Sequence, residues 1–419
     1  MKKEVKKILS DQLELVKPSE DTIKKINNIY KDFSKQLKEK IKKKKVKASI
    51  FLGGSLAKGS LIKKDLYDID IFVRFDKKYG DKKISNLLGK TLGKDFRKIH
   101  GSRDYYQKTI DGILIEIIPV LKIDKPEESE NVTDLSYFHV KYIKDQVSKN
   151  KTLINEIMLS KIFTHAQNVY GAESYIHGFS GYALELLICH YKNFTTFIKA
   201  ISKLNKEKLI IDDGKHYKNK KDLLENINQS KKQGPIIVID PTYKERNVTS
   251  GLSKETLTKF QDACKKFINN PSSNFFIKKD FLKEFQDKDS NILVIETNKQ
   301  AGDIAGTKSR KFFNFLNQKL SKQFIIKRSE FIYSEEENKS YFYFTLNKKK
   351  PTIVKGPPIT NTKDIKGFKK SHKKVFTKKG YAYTRIIHNL SFETWFKNFI
   401  RKDKKIINEM SIKKIELIS

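Results

Sequence analysis

"FLGGSLAKGSLIKKDLYDIDIFVRF", Phe51–Phe75, decides how this chain is read. A glycine pair and a serine follow a short apolar run. A stretch rich in lysines comes next, and then Asp68 and Asp70 stand one residue apart in a strand-like segment, 67–75. Residues two apart in a strand project to the same face. Asp68 and Asp70 therefore point together, while Ile69, Ile71, Val73 and Phe75 point the other way into a core. Two carboxylates held that close repel each other, so water alone does not justify the pair. A divalent cation does: hard oxygen ligands on one face suit one or two magnesium ions, which in turn bind phosphates.

A third acid completes such a site, and "DGILIEIIPV" (Asp111–Val120) supplies it. Glu116 is the only charged residue in the apolar run 113–118. An acid there is costly unless liganded or paired. An edge strand with Glu116 facing water is the plainer alternative, and the upstream Asp pair favours metal. The turn before the acids then acquires a purpose. Gly53-Gly54-Ser55 follows a strand at 49–52, and glycines let backbone N–H groups and the Ser55 hydroxyl approach a triphosphate. Lys58 and Ser60 add charge and a hydroxyl just downstream. Gly-Gly-Ser alone marks only a turn. Followed by Asp-x-Asp in a strand and a carboxylate in a later strand, it is the pattern of the nucleotidyltransferase superfamily shared by polymerase-β-like enzymes and poly(A) polymerases.

Composition points the same way. Lys and Arg number 87 against 49 Asp and Glu in 419 residues, a net charge of +38. Self-repulsion on that scale calls for a polyanionic partner, and the aromatic residues supply stacking surfaces for nucleic acid. A lysine-biased composition accounts for part of it. The two cysteines, Cys189 and Cys264, lie in no Cys-x-x-Cys motif, which argues against structural zinc and a disulfide framework, so a cytoplasmic protein is expected. No window reaches the ~18 continuous apolar residues of a membrane span. "MKKEVKKILSDQLELV" is charged throughout and does not read as a signal peptide.

Along the chain, Ser19 reads as the N-cap of an amphipathic helix with Ile23, Ile26, Ile29, Tyr30 and Phe33 on one face. Strand-like runs at 48–53, 67–75 and 112–120 alternate with helical stretches. From about 145 to 260 the period turns helical, with "DPTYKERNV" as a Pro-bearing loop. Ser253-x-x-Thr256 opens another helix. Beyond 275, helical and strand-like stretches alternate, and "KKKPTIVKGPPITNTKD" reads as a Pro/Gly loop, a boundary or hairpin tip. The length accommodates two to four domains.

At this level the chain resembles one narrower family, the archaeal-type (class I) CCA-adding enzymes, over Lys17 to about Arg385. "VKPSEDT", "GGSLAKGSLIKKDLYDIDIF", "DGILIEIIPV", "TDLSYFHVKYI", "VYGAESYIHGFSGYALELLI", "VIDPTYKERNV" and "VKGPPITNTKDIKGFKKSH" match its segments in order. The resemblance implies an α+β multidomain fold: a polymerase-β-like nucleotidyltransferase head with a mixed sheet, a helical neck, an α/β body and a tail. The expected limits are 1–145 for the catalytic head, 146–260 for the neck or central nucleotide-binding domain, 261–350 for an RNA-binding body, and 351–419 for a tail on the tRNA elbow, with a return of the C-terminus to the body left open. It implies template-independent addition of C, C and A to the tRNA 3′ end from CTP and ATP, with two magnesium ions. A homodimer is compatible with it, and no membrane association is expected.

Carried over position by position, Asp68, Asp70 and Glu116 match the metal-binding catalytic acids. Gly54 and Ser55 lie in the triphosphate turn, and Lys58 stands where the family usually has arginine. His139, Lys161 and Tyr170 match residues at the triphosphate, and Arg246 matches an arginine at the incoming base. Each also has a plainer role: His139 at an interface, Lys161 in solvent, Tyr170 in a core, and Arg246 paired with Asp240 to fix a loop. Phe179 and Tyr182 read mainly as helix packing. The departures are Glu for Asp at 116, Lys58 without arginine's fork, Leu135 where arginine is common, and a loose match at "NKQAGDIAGTKSRKFF". In "KKSHKKVFTKKGYAYTR", Lys369, Lys370, Lys373 and Lys374 with interleaved aromatics suit phosphates and stacked bases. Rival readings are a poly(A)-polymerase-like terminal transferase and a non-catalytic RNA-binding protein on the same scaffold.

Overall fold

The Asp-x-Asp stretch forms a strand with the limits its alternation predicts. In this computed structural model, which describes residues 3–205, 207–285, 290–372 and 374–418, the chain folds as two compact units that divide between Lys279 and Asp280. The first unit opens with β1 (Ala48–Leu52), β2 (Tyr67–Phe75), β3 (Arg97–Ile99), β4 (Tyr105–Ile110) and β5 (Ile113–Leu121). They make one sheet in the order β1-β2-β5-β4-β3. Only the central pair, β2 with β5, is parallel; the others are antiparallel. A parallel pair needs a crossover, and helix Asp81–Leu92 lies in it, burying Ile84, Leu88 and Leu92 against Ile69, Ile71, Val73, Ile115 and Ile117. Helix Glu20–Lys43 adds Ile26, Phe33, Leu37 and Ile41 to that core, and Ser19 caps it as expected, its Oγ accepting from the Thr22 N–H at 3.2 Å. One face of the sheet is thus apolar, which leaves the polar residues of β2 and β5 on the other.

Helices Leu153–Ala166, Gly181–Tyr191, Phe194–Ser202 and Lys254–Asn269 share a second core around Phe163, Phe194, Phe260 and Phe267. Helix Lys3–Val16, not foreseen in the sequence, adds Leu9. The stretch read as helical with a Pro-bearing loop also holds a three-stranded sheet of β6 (Leu209–Ile211), β7 (Ile236–Asp240) and β8 (Tyr243–Asn247). Its signal is weak. β6 has three residues, β7 is buried end to end so shows no alternation, and Pro241 marks the β7–β8 turn rather than a long loop. The expected limit at 260 falls inside helix Lys254–Asn269.

In the second unit, β9 (Ser290–Thr297), β10 (Phe324–Ser334) and β11 (Lys339–Lys348) pack on helix Asp303–Gln323 through Leu293, Ile295, Phe312, Leu316 and Phe342. A separate sheet follows: β12 (Thr352–Pro358), β13 (Val375–Lys378) and β14 (Tyr381–Ile386), in the order β12-β14-β13. The sequence reading of "PTIVKGPP" as loop is corrected here. β12 lies at a sheet edge and its pairing slips between Lys355 and Pro358, a place where a strand tolerates proline. The last strand, β15 (Ile412–Leu417), pairs with β9. Lys369, Lys370 and Lys374 are exposed; Lys373 lies outside the described residues.

Candidate active site

The parallel register of β2 and β5 sets Asp70 beside Glu116, with Asp68 one alternation away on the same face. β4 adds Gln107 opposite Glu116, and its Nε2 donates to Glu116 Oε1 at 2.5 Å. Burial pushes the Asp70 carboxyl above the usual carboxylate range, further than Lys58, Lys64 and Lys161 pull it down. Lys64 forms an ion pair with Asp68, and its attraction to Asp70 and Glu116 opposes the lowering that burial imposes on it. Among the described residues, no three His, Cys, Asp or Glu side chains stand ready around a metal position. Three carboxylates on one sheet face, one of them short of compensation, with an ammonium turned toward them, are nonetheless the donor set a hard cation needs. The residues fit such an ion once Lys64 yields.

Gly53 and Gly54 join this face to β1. The Gly53 N–H donates to the Asp70 carbonyl at 2.8 Å. A side chain at 53 would strike the Phe72 ring, and Gly54 has φ +60° with the Asp70 carboxylate where a Cβ would be. Glycine is thus required twice so that the turn can lie against the acid. A cavity of about 330 Å³ opens there, lined by Gly54, Ser55, Lys58, Asp68, Asp70, Lys161, Tyr170 and Glu185 among others. Lys161 is buried, in contrast to a solvent-facing lysine. Its Nζ donates to Ser60 Oγ at 2.9 Å and to the Ser60 carbonyl at 3.2 Å. Lys58 Nζ lies 2.7 Å from Glu185 Oε2, and Lys161 Nζ lies 3.4 Å from Glu185 Oε1. Burial lowers the Lys161 pKa to about 8, against the pull of Glu185. Tyr170 stacks on His165 with centroids 3.9 Å apart, and burial raises its phenol.

His139 and Arg246 do not line this cavity. They meet instead at Asp240, the last residue of β7. Asp240 is fully buried and accepts from Tyr182 Oη at 3.0 Å, Thr242 N at 2.9 Å, Thr242 Oγ1 at 2.8 Å and Arg246 NH1 at 2.9 Å. His139 Nε2 lies 2.9 Å from Asp240 Oδ2 and 2.7 Å from Arg246 NH1. Protonated it donates to the carboxylate; bare it accepts from the guanidinium. Burial lowers the His139 pKa despite Asp240. Burial would raise Asp240, but His139 and Arg246 hold it well below the usual carboxylate range. Arg246 also lines a separate cavity of about 630 Å³ with Tyr217, Asn226, Lys231 and Tyr243.

The two clusters share one helix. Gly181 and Glu185, a turn apart on Gly181–Tyr191, line the acid cavity. Tyr182, between them in sequence, stacks on His139 with centroids 4.0 Å apart.

Known proteins bear on this arrangement in two ways. Residues 155–277 match the family model of the tRNA nucleotidyltransferase second domain, and residues 3–137 that of the Second Messenger Oligonucleotide or Dinucleotide Synthetase domain. The CCA-adding enzyme of Nanoarchaeum equitans is 37% identical over 346 residues, 80% of this chain and 83% of that protein. The chain belongs to the CCA-adding enzyme family. The CCA-adding enzyme of Methanocaldococcus jannaschii is 29% identical over 91% of this chain and 87% of its own length. Among solved structures, the Cid1 poly(U) polymerase bound to magnesium and 3′-dATP shares the fold, with a TM-score of 0.53 over 67% of this chain and all of that one, at 13% identity. The fold is polymerase-β-like, and the chain, by its CCA-adding relatives, is a nucleotidyltransferase.

As a CCA-adding enzyme, this chain carries its departures in physically different ways. Leu135 is buried in the head core and gives the Arg246 cavity an apolar stretch of wall. Lys58 is held by a carboxylate. Lys64 and Gln107 at the acids escaped sequence reasoning, as did two residues of one helix: Tyr182, assigned to packing, and Glu185, one acid in "GYALELLICHY" whose partner Lys58 is 127 residues away. The signal for these last two was their place one and four residues after Gly181. No helix among the described residues is long and apolar enough to cross a membrane.

Proposed function

We propose that this CCA-adding enzyme uses the acid face of β2 and β5 to transfer nucleotides from CTP and ATP to the tRNA 3′ end. The single observation that carries the assignment of residues is the register that sets Asp70 beside Glu116 with Asp68 on the same face. Two magnesium ions, when bound there by Asp68, Asp70 and Glu116, supply activation of the 3′-hydroxyl and charge stabilisation on the departing pyrophosphate. The chain's own residues do the rest. Ser55 and Lys58 hold the triphosphate against the Gly53–Gly54 turn, so its α-phosphorus lies over the acids. Lys161 and Tyr170 close the far wall, and the buried ammonium counts for more there than in water. Gln107 keeps Glu116 turned toward Asp70. Arg246, fixed by Asp240 and His139, presents its remaining donors toward the 630 Å³ cavity, where acceptors on cytosine and adenine can be read. His139 acts through Arg246 instead of touching phosphate. The exposed Lys369, Lys370 and Lys374 and the ring of Phe376, stacked on Tyr383 at 5.8 Å, form a sequence-blind surface for folded tRNA.

The test is incorporation of labelled CTP and ATP into tRNA ending at the discriminator base, with and without magnesium. Three nucleotides in the order C, C, A, and then arrest, is the expected result. A homopolymer tail would assign the chain to the poly(A) type instead.

A further inference from the structure

Glu185 lies at the wall of the acid cavity with no solvent exposure. Each of its oxygens faces a different lysine: Oε2 meets Lys58 at 2.7 Å and Oε1 meets Lys161 at 3.4 Å. Lys58 comes from the turn after β1, Lys161 from helix Leu153–Ala166 and Glu185 from helix Gly181–Tyr191. We propose that Glu185 is a positioning residue for nucleotide binding, whose carboxylate sets Lys58 and Lys161 side by side as one preformed cationic wall for a triphosphate. This rests on reading the cavity as the phosphate pocket.

Stability alone gives no reason for the arrangement. A buried ion pair replaced by well-packed apolar residues is often as stable or more so. Here two ammoniums share one carboxylate, so the trio keeps a net positive charge inside the fold. Such a charge is costly without an anion, and the side left open is the cavity beside Ser55 and Asp70. Without Glu185 the two ammoniums would repel each other at close range. An ammonium has three donors. Lys161 uses its donors on Ser60 and faces Glu185, so it buttresses the wall. Lys58 gives one N–H to Glu185 and keeps others for phosphate oxygens. The titratable groups around Lys161 are Lys58 and Lys64 from the segment between β1 and β2, Asp70 from β2, His165 one turn along its own helix, and Glu185. Of these, Glu185 is the strongest support for its charged form.

The experiment measures kcat and KM for CTP against pH, and KM for tRNA, in wild type, Glu185→Gln, Lys161→Met and the double variant. In Glu185→Gln, KM for CTP should rise about tenfold with kcat within about twofold, and the alkaline limb of kcat/KM should move about one unit lower. KM for tRNA should stay put. If Glu185→Gln does not fold, the double variant, which lacks one of the two ammoniums, is compared with Lys161→Met. Its KM for CTP should be at least about threefold higher, because Lys58 is also released; equality would overturn the proposal. A folded Glu185→Gln with unchanged KM and pH limb, beside a raised KM in Lys161→Met, would make Glu185 merely structural and leave the pocket intact. No change in Lys161→Met either would remove the phosphate pocket and this proposal with it.

Discussion

Asp240 is a fully buried carboxylate of the first unit and Asp70 a partly buried one, and their surroundings drive them in opposite directions. Asp240 receives Tyr182, Thr242 and Arg246 with His139 beside them, and its charge is held well below the usual range. Asp70 sits against Glu116, burial outweighs the pull of Lys58, Lys64 and Lys161, and its carboxyl is raised. A carboxylate whose lone pairs are already met by the fold has nothing to offer a ligand and fixes structure. A carboxylate held beside another acid and short of donors is stable in its charged form only when a cation arrives. The first kind of site orients Arg246; the second is the one proposed to do chemistry.

The largest effect that separates the two is catalytic. Asp70→Asn should reduce incorporation of both C and A by at least about a hundredfold while leaving tRNA affinity near wild type, measured by single-turnover labelling and filter binding. Loss of only one of the two additions would break the idea that a single site serves both. Asp240→Ala should instead cost about 3–5 kcal/mol of stability, because it strands the Arg246 charge, and urea denaturation reads this directly. Arg246→Ala should raise KM for CTP and ATP by roughly tenfold and blur discrimination among the four nucleotides. A uniform loss across all four bases would move Arg246 out of base reading. Replacing Lys369, Lys370 and Lys374 by alanine should raise KM for tRNA and flatten its salt dependence, by about one unit of slope for each phosphate no longer neutralised, with KM for CTP unmoved.

The smallest effect is on acid stability. Burial holds His139 below its ordinary pKa of 6.5, so the unfolded chain takes up a proton that the folded chain refuses. Stability therefore falls as pH drops below about 6.5, before the carboxylates titrate. Asp240, depressed from its ordinary 3.8, contributes stability that is complete above that value and is lost as pH falls further. Urea midpoints from pH 7 to 4 should fall less in His139→Gln than in wild type, the remaining loss coming from His165, which burial and Lys161 lower to about 4.

The shared face of the three acids was legible in the sequence, because it depends on local alternation. Asp68 and Asp70 had to share a face, Glu116 was conspicuous in an apolar strand, and Gly53-Gly54 marked a close approach. The acids' neighbours were less legible. Lys64 looked like one lysine among many, and Glu185 like an ordinary charge on a helix; their meaning lies in contacts with residues remote in sequence or folded back onto the strand. Arg246 with Asp240 was anticipated as a loop pair, whereas Tyr182 was not, since an aromatic on an apolar helix reads as packing. The β6–β8 sheet stayed hidden because its strands are short and β7 lacks a polar face.

The most direct test is a manganese titration followed by electron paramagnetic resonance, without nucleotide or tRNA, on wild type, Asp70→Asn and Asp240→Asn. Asp240→Asn should bind manganese as wild type does, and Asp70→Asn should lose affinity by at least about tenfold. Wild-type affinity in Asp70→Asn, or an equal loss in Asp240→Asn, would contradict the division of the two carboxylates into one that awaits a cation and one already satisfied by the fold.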